Sequence, residues 1–150
     1  MQRIVVGVDG SENSRHALDW AIAEARLREA SVEVVNAWDV PFAVGFGFAP
    51  VSPSAYEGKA YEDAAVSLLD EMIAAAHPST IWPNDLKGRI EKIAVRGSAA
   101  WALLEVAKGA EMIVVGSRGR GGFTGLLLGS VSTQVAQHAH CPVVIVPPRQ

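Results

Sequence analysis

Residues 116–130 read GSRGRGGFTGLLLGS and directly follow the apolar run 112–115, MIVV. The apolar run is typical of a buried strand, and a helical pattern resumes at Ser130. The stretch between them is rich in glycine, which costs backbone entropy and therefore indicates unusual dihedral angles or a close approach to the backbone. A flexible surface loop and a ligand-binding loop both have this composition.

The rest of the chain alternates apolar strand patterns with amphipathic helix patterns. Ser11 or Asn13 can cap the first helix through a side-chain oxygen. Helices are predicted around residues 17–25, up to about 76, around 100–107 and over 130–138. Strands are predicted at 4–8, 31–37, 90–95, 112–115 and 142–146.

This alternation predicts an α/β fold with one open parallel sheet and helices on both faces. Ligands of such sheets bind beyond the carboxyl ends of the strands, where the winding direction reverses. Asp9-Gly10-Ser11 follows the first strand and the glycine loop follows the fourth. The two loops form one candidate site if these strands are neighbours, which the residues alone do not establish.

Length and composition restrict the function class. A chain of 150 residues predicts one domain over residues 1–150. The net charge is −3, whereas nucleic-acid binding needs clustered Lys and Arg, so no nucleic-acid partner is expected. Cys141 is the single cysteine, which excludes an internal disulfide, and the apolar run after Arg3 is too short for a membrane span or a signal peptide. We expect a cytoplasmic protein.

The glycine loop lacks the familiar phosphate-binding spacings. No glycine is followed by Lys and then Ser or Thr, and Thr124 stands where G-x-G-x-x-G would need its third glycine. A helix that opens at Ser130 nevertheless offers free N–H groups and a positive dipole end to an anion. The Ser130 and Ser132 hydroxyls can cap this helix or bond a phosphate, and Arg118 and Arg120 add positive charge.

The other groups of polar residues in the sequence are better explained by structural roles than by a metal or catalytic site. His138, His140 and Cys141 are three soft ligands, but a closed zinc site needs four, so no metal site is predicted. Asp9 lacks the neighbouring acid that a phospho-acceptor site requires, because Gly10 follows it. No catalytic residues are assigned. The phenylalanines of residues 38–54 suit either a lid over a ligand or a mobile surface loop.

The glycine spacing resembles that of a known family. Gly116-x-x-Gly119, followed after nine residues by Gly129-Ser130, is similar to the nucleotide loop of the ATP-binding universal stress proteins. Residues 6–11, VGVDGS, and 138–146, HAHCPVVIV, resemble the first and last strands of that family, so the resemblance spans the whole chain. It implies a single five-stranded sheet of order 3-2-1-4-5 with four helices.

The resemblance also implies roles for individual residues. Gly7 and Asp9 would lie under the base and ribose, and Ala37 would contact the adenine edge through its backbone. The remaining residues would surround the ribose and phosphates. The nucleotide-binding residues implied in this way are Gly7, Asp9, Ala37, Gly116, Ser117, Arg118, Gly119, Arg120, Gly121, Gly122, Gly129, Ser130, Val131 and Ser132. The apolar residues Phe123, Leu126, Leu127 and Leu128 are expected to anchor the loop against the core.

The leading interpretation is an ATP-binding stress-response regulator, with or without Mg²⁺, whose state is read by an unidentified protein partner. The family implies a homodimer, and an exposed apolar edge invites one through the fifth strand, Val143, Val144, Ile145 and Val146. The alternatives are a family member that binds cyclic AMP or no nucleotide, a slow ATPase, and a flavodoxin-like binder that uses residues 11–14. We expect hydrolysis to be at most very slow.

Overall fold

The computed structural model describes residues 2–40, 55–76, 89–120, 125 and 127–149. Five strands alternate with four helices along these ranges, and each strand begins and ends within one residue of its predicted bounds. The elements in chain order are β1 (Arg3–Gly7), α1 (Glu12–Arg28), β2 (Ser31–Trp38), α2 (Ala55–Ala74), β3 (Ile90–Arg96), α3 (Ala99–Val106), β4 (Met112–Gly116), α4 (Ser130–His138) and β5 (Val143–Val146).

All five strands are parallel and form one sheet in the order β3-β2-β1-β4-β5. β1 is central, and its Ile4 pairs with Val32 of β2 on one side and Met112 of β4 on the other. The order implied by the family resemblance is confirmed. The carboxyl ends of β1 and β4 are therefore neighbours, as a shared site requires.

The sheet is buried on both faces, so the core has two layers. Side chains such as Ile4 and Val6 of β1 pack with α1 and α2 on one face. On the other face, Val5 packs in a second cluster with Leu103 of α3 and Val135 of α4. This alternation explains why the strands read as continuous apolar runs.

The two edges of the sheet differ in character. In β3, Glu91 and Lys92 are exposed, and their charges suit an edge strand that faces solvent. In β5, all four residues, Val143–Val146, are apolar and half-buried. The charges on β3 thus disfavour pairing of that edge with another strand, whereas the β5 edge presents apolar side chains.

Two sequence expectations need correction. The buried stripe of α2 consists of Ala65, Leu69 and Met72, whereas Ala64 is exposed because the stripe follows the three- and four-residue spacing from Ala65. β5 begins one residue later than predicted, because Pro142 has no N–H to donate to a ladder. The carbonyl of Pro142 instead accepts a hydrogen bond from the Ile113 N–H at 2.9 Å.

Within the described ranges, no helix combines the length and the apolarity that a membrane crossing requires.

Two leucines of α1 provide a matched test of the core. Leu18 is fully buried, whereas Leu27 is 82% exposed. We expect Leu18→Ala to lower the free energy of unfolding by about 2–5 kcal/mol, because it removes buried methyl groups and leaves a cavity. Leu27→Ala should change it by less than about 0.5 kcal/mol. Urea unfolding monitored by circular dichroism measures both, and equal losses would contradict this packing.

Candidate functional site

A cavity of about 790 Å³ lies at the carboxyl ends of β1, β2 and β4. The helix that follows β1 packs on one face of the sheet and the helix that follows β4 packs on the other. The cavity therefore occupies the switch point at which ligands of open parallel sheets bind. Its volume lies within the range of small-molecule sites.

Most of the predicted site residues line this cavity. They are Gly7, Asp9, Ala37, Gly116, Arg118, Gly119, Arg120, Gly129, Ser130, Val131 and Ser132. Ser117 lies buried beside it, and its carbonyl accepts hydrogen bonds from the Gly129 N–H at 2.6 Å and the Ser132 hydroxyl at 2.9 Å. Gly121 and Gly122 lie outside the described residues, as do the phenylalanines at 42, 46 and 48.

Asp9 connects the turn after β1 with the glycine loop. Its Oδ1 accepts the Ser11 N–H at 2.9 Å, and its Oδ2 accepts the Arg120 N–H at 2.9 Å. Burial by itself raises the pKa of Asp9. Hydrogen bonds from Ser11, from the Arg120 backbone and from Ser14 outweigh that effect, so the pKa lies below its usual value. Asp9 is therefore a carboxylate at neutral pH, and its contribution to stability is lost only as the pH falls through this lowered pKa.

Asn13 forms a second connection between the same two segments. Its Nδ2 donates to the Arg118 carbonyl at 2.9 Å and approaches the Ser117 hydroxyl at 3.4 Å. The helix cap is Ser11, whose hydroxyl accepts the Ser14 N–H at 3.1 Å. Sequence reasoning offered Asn13 as a cap and missed this role, because the contact spans 105 residues of chain.

Close packing explains two of the loop glycines. A Cβ at Gly119 would lie 2.5 Å from Asp9 Oδ2, and a Cβ at Gly116 would lie 2.8 Å from Asn13 Nδ2. A Cβ at Gly129 would meet no atom of the described residues closer than 3.5 Å. The glycines at 116 and 119 are thus required by the protein's own contacts, whereas Gly129 leaves room beside the loop.

The start of α4 faces the cavity. Its first N–H groups have no partner within the helix, and they carry the positive end of the helix dipole. Ser130 is exposed there, but Ser132 is buried and its hydroxyl donates to the carbonyls of Ser117 and Gly129. Of the two hydroxyls considered for phosphate binding, Ser132 therefore serves the backbone, and Ser130 remains accessible.

The other end of the cavity is apolar, which sequence reasoning missed. Val8, Val35, Ala99, Leu103 and Val115 line it. These residues read as ordinary core positions, so their pattern gave no functional signal. A glycine within β1 was the available hint, because a Cβ at Gly7 would lie 2.8 Å from Leu103 Cδ1.

The charge of the cavity suits an anion. Arg118 and Arg120 line it together with Asp9, and the α4 dipole adds to the positive side. Arg118 Nε is buried and, among the described residues, has no hydrogen-bond partner. A buried donor of this kind is costly unless a ligand or water accepts from it.

One expectation about the loop is wrong. Leu127 is 89% exposed and Leu128 is 37% exposed, so neither anchors the loop against the core. Their apolar character suggested burial, but both precede α4, and Leu128 lines the cavity instead. Phe123 and Leu126 lie outside the described residues.

No metal cluster is formed by the part of the chain that the structure describes. Cys141 lies next to His140 in the sequence but is half-buried, and burial raises the pKa of its thiol. A neutral thiol is a poor metal ligand, because the thiolate is the form that binds.

Comparison with known sequences identifies the family. Residues 1–147 match the profile of the universal stress protein family. A universal stress protein of Mycolicibacterium smegmatis is 39% identical over 153 residues, covering 97% of this chain and 46% of that protein. One from Mycobacterium tuberculosis is 32% identical over 151 residues, covering 96% and 47%. The chain spans about half the length of these curated relatives.

Solved structures share the fold. UspA from Lactobacillus plantarum superposes with a TM-score of 0.74 at 19% identity, covering 97% of both chains. A universal stress protein in complex with cAMP has a TM-score of 0.70 at 29% identity, covering 97% of this chain and 96% of that one. One from Archaeoglobus fulgidus in complex with dAMP has a TM-score of 0.55 at 26% identity, covering 97% and 98%. Profile, relatives and fold agree, and the chain belongs to the universal stress protein family.

Proposed function

We propose that this protein is a cytoplasmic, homodimeric regulator that binds ATP, and that residues 1–150 act as one nucleotide-binding domain. The observation that carries the proposal is a cavity whose lining divides into apolar side chains, among them Val35 and Leu103, and positive or amide-bearing groups, among them Arg118 and the start of α4. A nucleotide has the same division between its base and its phosphates. Binding would set the state of the protein, and a protein partner would read that state.

The base and ribose fit the end formed by β1 and β2. Gly7 and Ala37 line it together with Val35 and Leu103, which offer an apolar surface to a purine ring. The absence of a side chain at Gly7 lets Leu103 reach this position. Ala37 lies at the carboxyl end of β2, where its backbone can supply the polar contacts that distinguish one base edge from another.

The phosphates fit the end formed by the glycine loop and α4. Arg118, Arg120 and the N–H groups at the start of α4 supply donors. Gly121 and Gly122, which lie outside the described residues, remain part of the proposed site. Charge-assisted hydrogen bonds contribute about 1.5–3 kcal/mol each. Three or four of them support a dissociation constant on the order of micromolar once the costs of association are included.

Two related structures contain adenine nucleotides, cAMP and dAMP, which supports this ligand class. The neighbour with cAMP makes cyclic AMP the second candidate. Arg118, Arg120 and the N-terminus of α4 favour ATP over cyclic AMP. ATP carries more negative charge, so its attraction to these positive groups is stronger. ATP is therefore the first choice.

Mg²⁺ would enter with the nucleotide. Asp9 is the acidic residue that lines the cavity in the described part of the chain, and both of its oxygens already accept backbone N–H groups. Mg²⁺ commonly keeps several waters and is held by phosphates with one or two carboxylates. The residues present thus fit a metal carried by ATP better than a metal held by the protein alone.

Gly129 offers the sharpest test of ATP binding. An added Cβ there would lie 3.7 Å from the Gly119 nitrogen, between the loop and α4, where the phosphates are proposed to pass. We expect Gly129→Ala to weaken ATP binding about tenfold or more, while the loss of a glycine N-cap lowers stability by only about 1 kcal/mol. Isothermal titration calorimetry measures the affinity, and thermal unfolding measures the stability.

Gly58→Ala is the matched control, because a Cβ at Gly58 in α2 meets nothing within 4 Å. It should leave ATP affinity unchanged and keep or raise stability, since alanine favours a helix. Equal affinities in Gly129→Ala and the unmodified protein would contradict the proposed phosphate position. Tighter binding of cAMP than of ATP by the unmodified protein would favour the second candidate.

The proposed dimer is tested at the β5 edge. Val144 in β5 and Val95 in β3 are both half-buried valines of edge strands. We expect the protein to be dimeric at roughly tens of micromolar and Val144→Lys to be monomeric, because the change buries a charge in the proposed interface. Val95→Lys should remain dimeric. Light scattering measures the mass, and a monomeric unmodified protein would rule out this assembly.

Binding rather than turnover is the proposed activity. Rapid phosphoryl transfer needs a charged group at the γ-phosphate and a group that orients water. The described cavity lining includes two arginines, but its one carboxylate is held by backbone amides. We expect turnover well below about 1 s⁻¹ with labelled ATP and Mg²⁺. Several turnovers per second, lost in Asp9→Ala, would make the protein an enzyme.

A further inference from the structure

We propose that Asn13 is a positioning residue, which sets the affinity for phosphates by fixing the orientation of one peptide group in the glycine loop. The inference rests on the proposed function and extends it, because Asn13 is not among the nucleotide-binding residues that the family resemblance implies. The peptide group joins Arg118 to Gly119, and its carbonyl accepts a hydrogen bond from Asn13 Nδ2 at 2.9 Å.

Asn13 lies against three consecutive residues at the start of the loop. Its Nδ2 donates to the Arg118 carbonyl and approaches the Ser117 hydroxyl at 3.4 Å. A Cβ at Gly116 would lie 2.8 Å from the same nitrogen and 3.2 Å from the Asn13 backbone carbonyl carbon. The loop is therefore packed directly on the first turn of α1, which restricts the rotation of its backbone.

The hydrogen bond to the Arg118 carbonyl also determines where the Gly119 N–H points. The peptide bond between these residues is trans, so its C=O and N–H point in opposite directions. Because the carbonyl is directed toward α1, the N–H is directed away from it. The Gly119 nitrogen lies 3.7 Å from the position of a Cβ at Gly129, the N-cap of α4, and Gly119 lines the cavity. This N–H thus lies on the same side as the free N–H groups of α4.

The neighbouring N–H groups already have partners within the protein. The Ser117 N–H donates to the Val146 carbonyl at 2.8 Å, and the Arg120 N–H donates to Asp9 Oδ2 at 2.9 Å. The Gly119 N–H donates to no acceptor in the part of the chain that the structure describes. It is therefore a donor that the loop can offer to a phosphate oxygen.

The opposite orientation of this peptide would oppose phosphate binding. It would turn the Arg118 carbonyl toward the cavity, where its partial negative charge would repel a phosphate, and it would turn the Gly119 N–H toward α1. That orientation costs Asn13 the acceptor of its Nδ2 hydrogen bond. Asn13 thus favours the orientation in which the loop presents a donor to the cavity.

Packing alone does not explain an asparagine at this position. Its Oδ1 is buried and has no hydrogen-bond partner among the described residues. A buried acceptor without a partner destabilises the folded state, and a leucine of similar size would avoid that cost. The part of the side chain that contributes is therefore the Nδ2 donor.

The test compares ATP with adenosine, which lacks the phosphates. Asn13→Leu keeps the approximate size of the side chain and removes the donor. We expect ATP affinity, measured by calorimetry, to fall about tenfold or more, because one charge-assisted hydrogen bond is lost. Adenosine affinity, measured by NMR titration, should stay within about twofold. A structural role alone would weaken both ligands alike, so equal losses would overturn the proposal, as would unchanged ATP affinity.

Asn36→Leu is the matched control. Asn36 of β2 is also half-buried, and its Nδ2 donates to the Val8 carbonyl at 2.8 Å. It makes the same kind of hydrogen bond beside the same cavity, but not with the glycine loop. This variant should change the affinities for ATP and adenosine by the same factor. A selective loss of ATP affinity as large as that in Asn13→Leu would overturn the specific role of Asn13.

A second measurement uses inorganic tripolyphosphate, which reports on the phosphate end without a nucleoside. In the unmodified protein, the Gly119 amide proton should shift to lower field in NMR spectra as tripolyphosphate is added, because a phosphate oxygen accepts from it. The shift should be lost in Asn13→Leu. If the unmodified protein binds neither ATP nor adenosine, the proposed function fails, and the tripolyphosphate response still tests the role of Asn13. A Gly119 amide that does not respond, or that responds equally in both proteins, would overturn that role.

Discussion

β1 forms parallel hydrogen bonds with β2 on one side and with β4 on the other, and both of its faces are buried. The other parts of the molecule depend on this double pairing. It divides the core into two layers, because Ile4 and Val6 face one pair of helices while Val5 faces the other. It also brings the loop after β1 beside the loop after β4, and the cavity forms between them.

Three glycines between β4 and α4 serve different purposes. Gly116 and Gly119 lack side chains because Asn13 and Asp9 occupy the space that a Cβ would need. Among the described residues Gly129 has no such neighbour, so its missing side chain leaves space between the loop and α4. One sequence motif thus combines positions required by internal packing with a position left open for a ligand.

Much of the fold could be predicted from the sequence because its signals are local. Apolar runs such as 112–115 and helical stripes such as that of α1 report burial directly. The order of the strands came from the family resemblance, since pairing is a long-range property. The Asn13 contact with Arg118 and the apolar end around Leu103 were missed for the same reason, because each joins segments that no local pattern relates. Leu127 was placed wrongly because its apolar side chain alone does not show whether the residue is buried.

The sequence separation of 111 between Asp9 and Arg120 has a consequence for synthesis. A chain that grows from its amino terminus can pair β1 with β2 early, but the second edge of β1 stays open until β4 emerges. Contacts of such long range form slowly, because a large loop must close first. The cavity therefore forms only after β4 and α4 have been made. Chains that stop before β4 cannot compete for its ligand, and any ligand that binds favours the folded domain by mass action.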